Sequence, residues 1–175
     1  PGPGNPHNTA FAARETLLTS EKSAMRQTNS ASSRYWRIEH SEKTNRLGRP
    51  TAYRLLPSST PTMFASADSP HGQRAAFAKN NLWVTPTVQA ERYAAGDYPT
   101  QRNAGEGLPK YTAEDRPVSD TDITVWHSFG LTHDARLEDY PVMPTEYAGF
   151  LLVPDGFFER NPAIDVPPSS TDHCH

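Results

Sequence analysis

Short runs in which polar and apolar residues alternate limit what this chain can become. RYWRIEH (34–40) sets Tyr35, Arg37 and Glu39 against Trp36, Ile38 and His40, and TAYRLLP (51–57) follows after NRLGRP. A period of two is the mark of an extended strand with two unlike faces. The two runs read as a hairpin whose turn is carried by Asn45, Gly48 and Pro50. DITVWHSFGLTH (122–133) is the clearest strand, with Val125, His127, Phe129, Leu131 and His133 on one parity. HGQRAAFAKNNLWVTP (71–86) reads as a short helix running into the strand Leu82–Thr85, and EYAGFLLVPDGFF (146–158) supplies another strand and a turn. Residues 11–28 are ambiguous between a strand and a short helical turn, and Glu91 to Pro117 reads as one long Gly/Pro/Tyr-rich loop. The expected class is mostly β with long loops, favouring a sandwich.

Composition sets a second limit. Leu, Ile, Val and Phe make up only about a sixth of the 175 residues, below the roughly 20% at which disorder becomes a serious reading. The 17 prolines and 10 glycines point the same way. A net charge of only −3 and aromatic residues at 10% point the other way, towards ordered packing. The reading that reconciles them is a polar, loop-rich chain that is ordered but depends on surfaces it does not itself contain.

Several function classes fall away. Mixed charge with a slight acidic excess leaves no basic footprint for nucleic acid. No apolar run approaches the roughly 18 residues needed to cross a bilayer as a helix. The first residues, PGPGNPHNTA, show no signal-peptide core and no leading Met, so a fragment of a longer protein is expected. The compartment stays open, with a cytoplasmic location slightly favoured. Cys174 is the only cysteine, which excludes an internal disulfide. Phosphate-loop, dinucleotide-fingerprint, zincin and nucleophile-elbow motifs are all missing.

The residues that could carry chemistry are few. His133 closes the VWHSFGLTH run, and a strand end on a rigid sheet suits a metal ligand as well as it suits a hydrogen-bonded surface histidine. His127 has the same two readings. Asp115, Asp120 and Asp122 crowd the entrance of that strand, where hard cations or plain solvation would both explain them. His173, Cys174 and His175 have metal-ligand chemistry, but they sit in a terminal tail. Tyr93, Tyr98 and Tyr111 with Arg92 and Arg102 line the long loop, where packing explains them better than nucleic-acid stacking.

WHSFGLTH, RLEDYPVMP, YAGF, GFFERNPAIDVPP and the HCH tail resemble the C-terminal part of the copper-containing primary amine oxidases, the topaquinone enzymes. NRLGRPTAYRL, RAAFAKNNLWVTP, ERYAAGDYPTQ and GLPKYTAEDRP extend the resemblance, in family order, over essentially the whole chain. It is nearest to the bacterial and fungal branch that oxidises aromatic primary amines. The fold it implies is the C-terminal segment of the family's large catalytic β-sandwich, spanning residues 1–160, with 161–175 as a tail. The family holds Cu(II) with three histidines, two from an H-x-H strand and one from a G-[LI]-T-H segment. His133 matches the third. Met143 matches a methionine close to the copper, and Asp122 and Ile123 match the carboxylate and carbonyl of a second, peripheral site for Ca²⁺ or a similar cation. His127 has no ligand role in that pattern.

The family's reaction converts a primary amine, O₂ and water to an aldehyde, ammonia and hydrogen peroxide, using copper and topaquinone in a homodimer. This chain departs from the pattern by what it lacks: the N-Y-[DE] tyrosine that becomes the quinone, the strand H-x-H and the catalytic aspartate. The implied partners are therefore the remainder of an oxidase polypeptide and a second subunit, with a small primary amine and O₂ as substrates. Two smaller departures surround the ligand. Ala135 replaces a proline, which leaves the turn after His133 less rigid, and Tyr140 replaces a tryptophan. The competing expectation is a non-enzymatic β-sandwich module that keeps this fold as an interaction surface.

Overall fold

A computed structural model describes residues 17–24, 35–58, 65–101, 104–131 and 133–167. Among these residues are five strands and three short helices: α1 (Glu21–Ala24), β1 (Trp36–Thr44), β2 (Pro50–Pro57), α2 (Pro70–Arg74), β3 (Leu82–Pro86), α3 (Leu108–Tyr111), β4 (Ile123–His127) and β5 (Phe150–Asp155). They form two antiparallel sheets among the described residues, one ordered β1-β2-β5 and the other β3-β4.

The hairpin expected from alternation is present. Trp36 pairs with Leu55 and Ile38 with Tyr53, and the Asn45 side chain accepts the N–H groups of Leu47 and Arg49, both at 3.0 Å. Gly48 takes a positive φ in this turn, whereas Pro50 already belongs to β2. The sheets meet through one apolar cluster. Leu55 lies against Leu82, Val84 and Val118, with Trp36, Ile38, Ile123 and Val125 packed around them. The opposite face of the larger sheet is ionic. Arg37 and Arg54 both donate to Asp155, at 2.9 and 2.8 Å. Burial alone would push the Asp155 carboxyl up, but the Arg54 hydrogen bond and the charges of Arg37, Arg54 and Arg49 hold it below the usual carboxylate range.

Two expectations need correction. The stretch from Glu91 to Pro117 is not structureless: it contains α3 and is tied down at its end. Gly107 makes this possible. Its φ of +78° is costly for other residues, and a Cβ there would stand 2.2 Å from the Ala94 carbonyl oxygen. Next to it, Leu108 N–H donates to that same oxygen at 2.9 Å. Arg116 then clasps Glu21 at 2.7 Å and Glu91 at 3.0 Å, anchoring the stretch to α1.

The second correction concerns β4, which stops at His127 rather than running on to His133. Its partner β3 begins at Leu82, directly opposite His127, and beyond that point the pairing continues only in the bond from Ser128 N–H to the Asn81 carbonyl. The parity shared by Phe129, Leu131 and His133 is therefore not realised as a strand face.

Much apolar surface remains uncovered. β5 is the outer strand of its sheet, and the consecutive residues Leu151 and Leu152, which point to opposite faces, are both exposed. Leu137, Val142, Tyr147, Ile164 and Val166 are exposed as well. Among the described residues no helix is long and apolar enough to cross a membrane.

Candidate metal centre

The end of β4 is fixed from β3. Ser128 N–H donates to the Asn81 carbonyl at 2.9 Å, and the buried Asn81 side-chain amide donates to the Ser128 carbonyl at 3.3 Å. The His127 ring donates from Nδ1 to the same Asn81 carbonyl at 2.9 Å. Phe150 meets this ring edge-on at 5.4 Å, and Phe129 stacks on it at 6.1 Å. Burial lowers the His127 pKa, and the Asn81 hydrogen bond opposes that shift only in part. His127 is thus built into the junction of the two sheets by one hydrogen bond and two aromatic contacts.

His133 lies six residues further on, outside any strand, with both ring nitrogens facing carboxylates. Nδ1 is 3.0 Å from Glu146 Oε1 in hydrogen-bonding geometry. Nε2 is 3.2 Å from Asp139 Oδ2, close enough for an ion pair but out of line for a hydrogen bond, so this buried nitrogen has no hydrogen-bond partner among the described residues. The two carboxylates differ in how they are held. The Asp139 side chain is 1% exposed and accepts from Arg136, from the backbone N–H at 2.8 Å and from the guanidinium at 3.0 Å. Those bonds to the Arg136 side chain and backbone, helped by the neighbouring His133, hold the Asp139 carboxyl below the usual range against the effect of burial. Glu146 is 43% exposed. The turn after His133 is therefore braced by the Arg136–Asp139 pair in place of a proline ring.

Sequence reading missed Asp139 and Glu146. A signal for the first was available: R-L-E-D places an acid three residues after the start of a turn, and its side chain caps the Arg136 N–H. Met143 lies on the exposed stretch between the two carboxylates and is itself half exposed.

The residues at the start of β4 are arranged differently. Thr87 N–H donates to the Asp122 carbonyl at 2.7 Å. This makes Pro86 and Ile123 a pair without mutual hydrogen bonds and turns the Ile123 carbonyl away from β3. The Asp122 side chain is exposed beside it. Asp115 is already engaged, accepting the Lys22 N–H at 2.8 Å, and Asp120 sits in a turn with φ +51°. Along the former loop, Tyr111 donates to the Tyr93 carbonyl at 3.3 Å, Arg92 donates to the Gln89 carbonyl at 2.9 Å, and Tyr98 is exposed. Arg102, His173, Cys174 and His175 lie outside the described residues.

Imidazole nitrogen suits Cu(II), and a ligating imidazole commonly donates its second N–H to a carboxylate, so His133 with its two acids fits that metal. Among the described residues no group of three or more His, Cys, Asp or Glu side chains is placed to hold a metal ion. His133 fits as one ligand of a set.

The family described as "Copper amine oxidase, enzyme domain" matches residues 1–173. The chain belongs to the copper amine oxidase family. It is 47% identical to a histamine oxidase of Arthrobacter globiformis over 173 residues, 99% of this chain and 25% of that protein. It is 46% identical to a primary amine oxidase of Arthrobacter sp. (strain P1) over 168 residues, 95% of this chain and 26% of that protein. Among solved structures, a copper-containing benzylamine oxidase from Hansenula polymorpha superposes with a TM-score of 0.76 at 35% identity, covering 84% of this chain and 23% of that one. This copper amine oxidase chain thus spans about a quarter of the length of the relatives it matches.

Proposed function

We propose that this chain is the part of a copper/topaquinone primary amine oxidase that supplies the third copper-ligand histidine, His133, to a site completed by further polypeptide. The reaction is RCH₂NH₂ + O₂ + H₂O → RCHO + NH₃ + H₂O₂. The observation that carries the reading is the placement of His133, in a segment matched to the family, with one ring nitrogen on a locked buried carboxylate and the other on an exposed one. The uncovered faces of β5 and the quarter-length match support a site shared with more chain.

The residues divide the work. His133 would hold the copper, and Asn81 fixes the point from which its segment departs. Met143 would stand near the metal on the same segment. Asp122, through its carboxylate, and Ile123, through its outward carbonyl, would bind a peripheral hard cation. When bound, copper and the quinone supply the redox chemistry that oxidises the amine and reduces O₂. The homodimer, the quinone tyrosine and the residues that select the amine belong to chain beyond this segment.

The test compares the complete oxidase polypeptide with its His133→Ala variant. The wild type is expected to contain one copper per chain, to stain for redox-cycling quinone and to release peroxide with a primary amine. The variant should lose the copper and, with it, quinone formation. Full copper content in His133→Ala would overturn the reading. A complete polypeptide without quinone staining would favour the interaction module.

A further inference from the structure

Phe129 and Phe150 bound the segment that carries His133, Asp139 and Glu146, and their rings meet edge-on at 5.1 Å. The ring of His127 closes the group, stacked on Phe129 at 6.1 Å and edge-on to Phe150 at 5.4 Å. Each side of this neck is tied to a different sheet. His127 ends β4 and donates to the carbonyl of Asn81, the residue before β3, at 2.9 Å. Phe150 opens β5, pairs with Pro57 of β2 and follows Gly149, whose carbonyl accepts the Ser58 hydroxyl. Inside the loop, His133 is bonded to Glu146 and lies against Asp139, which Arg136 holds in turn, so these contacts fix the loop's shape but not its place. A metal ion that also needs ligands from elsewhere is bound well only where that place is held closely.

We propose that His127 is a positioning residue of the copper centre: with Phe129 and Phe150 it pins both ends of the His133 loop to the two sheets, and so sets where His133 stands relative to ligands supplied by further polypeptide. The proposal rests on the reading of His133 as a copper ligand and gives His127 no bond to the metal. Two features suit the role. The His127 ring makes one hydrogen bond among the described residues, Nε2 being buried without a partner, so the rest of its hold is the two aromatic contacts. Those contacts join strands that do not pair with each other, since β4 and β5 belong to different sheets. A loop already closed at its ends also loses less freedom when a metal orders it.

The experiment uses the complete polypeptide, freed of metal and titrated with Cu(II) against a competing chelator, with electron paramagnetic resonance of the loaded protein. Phe150→Ala opens the neck from the β5 side and removes no group bonded to His133. It is expected to weaken Cu(II) binding about tenfold, the low end of the range for residues that orient a ligand without touching the metal. It should also change the copper hyperfine splitting, which a loss of global stability alone leaves as it is. His127→Ala, which opens the neck from the β4 side, should weaken binding by a similar factor. Because both act through one contact, the double variant should lose little more than the worse single one. His127→Phe keeps the ring contacts and should bind more tightly than His127→Ala. Asn45→Ala is the control for stability: it removes the side-chain bonds of the β1–β2 turn and should lower the unfolding temperature at wild-type copper affinity. Wild-type affinity in either neck variant, additive losses in the double variant, or equal weakening by Asn45→Ala would overturn the proposal. If His127→Ala does not fold, Phe150→Ala, at a partly exposed position, decides the question. His133→Ala keeps the two levels apart. If it loses copper while the neck variants do not, the role of His127 alone fails; if it keeps copper, the ligand reading fails as well.

Discussion

The backbone carbonyl of Asn81 accepts the Nδ1–H of His127 at 2.9 Å, so the last side chain of β4 is bonded to the residue just before β3. With Phe129 and Phe150 packed against it, the ring sits in surroundings that penalise its charged form.

A pH dependence of stability follows. The folded-state pKa of His127 is lowered, mainly by burial, so above the unfolded value of about 6.5 the ring is neutral in both states and costs nothing. As pH falls below about 6.5 the unfolded chain takes up a proton that the folded one resists, and stability drops. Denaturant unfolding between pH 7.5 and 5.5 (about one unit either side of that value) should show this loss, and His127→Gln should flatten it. An equal slope in wild type and variant would assign the effect to another group.

Asn81 itself should matter through its side chain. Asn81→Ala keeps the backbone carbonyl but removes the bond to the Ser128 carbonyl from a buried position. A loss of about 1–3 kcal/mol is expected for a buried polar group left unpaired. Hydrogen exchange at the Ser128 amide should quicken more than exchange within the β1–β2 hairpin, because only the exit of β4 is released.

The hairpin was legible because everything that makes it lies within 24 residues: alternation in 34–40 and 51–57, and an Asx turn at Asn45. The end of β4 was not. VWHSFGLTH keeps its parity to His133, but the strand ends opposite Leu82, the first residue of β3, and pairing across forty-five positions leaves no mark in the run itself. The stretch from Glu91 to Pro117 failed as a loop for a similar reason, since Glu21, far away in sequence, organises it. For the site, His133 was legible through the family resemblance. Asp139 and Glu146, drawn in from six and thirteen residues downstream, became visible only once the turn between them had a shape.

The Glu21–Arg116–Glu91 clasp gives the clearest stability prediction. Glu21 is fully buried and accepts the Arg116 backbone N–H at 2.8 Å as well as its guanidinium. The two acids, Glu91 and then Glu21, raise the Arg116 pKa above its ordinary value. Arg116→Ala would strand a buried carboxylate, which costs about 3–5 kcal/mol. Adding Glu21→Gln should recover part of that loss in urea unfolding, because the stranded charge is gone. No recovery would show that packing of the arginine stem, and not charge, dominates.

A last prediction separates the two metals. Asp122 stands at the start of β4 with an exposed carboxylate, and the Ile123 carbonyl beside it points away from β3, whereas His133 lies beyond the opposite end of the strand. If these oxygens bind a hard cation, Asp122→Ala in the complete polypeptide should remove about one equivalent of Ca²⁺ or a similar cation and leave copper content unchanged. His133→Ala should do the reverse, because imidazole suits copper and the oxygen pair suits hard ions. Elemental analysis of both variants after dialysis reads the two sites independently. Loss of copper in Asp122→Ala, with the fold intact by circular dichroism, would mean that the two ends of β4 do not act as separate sites.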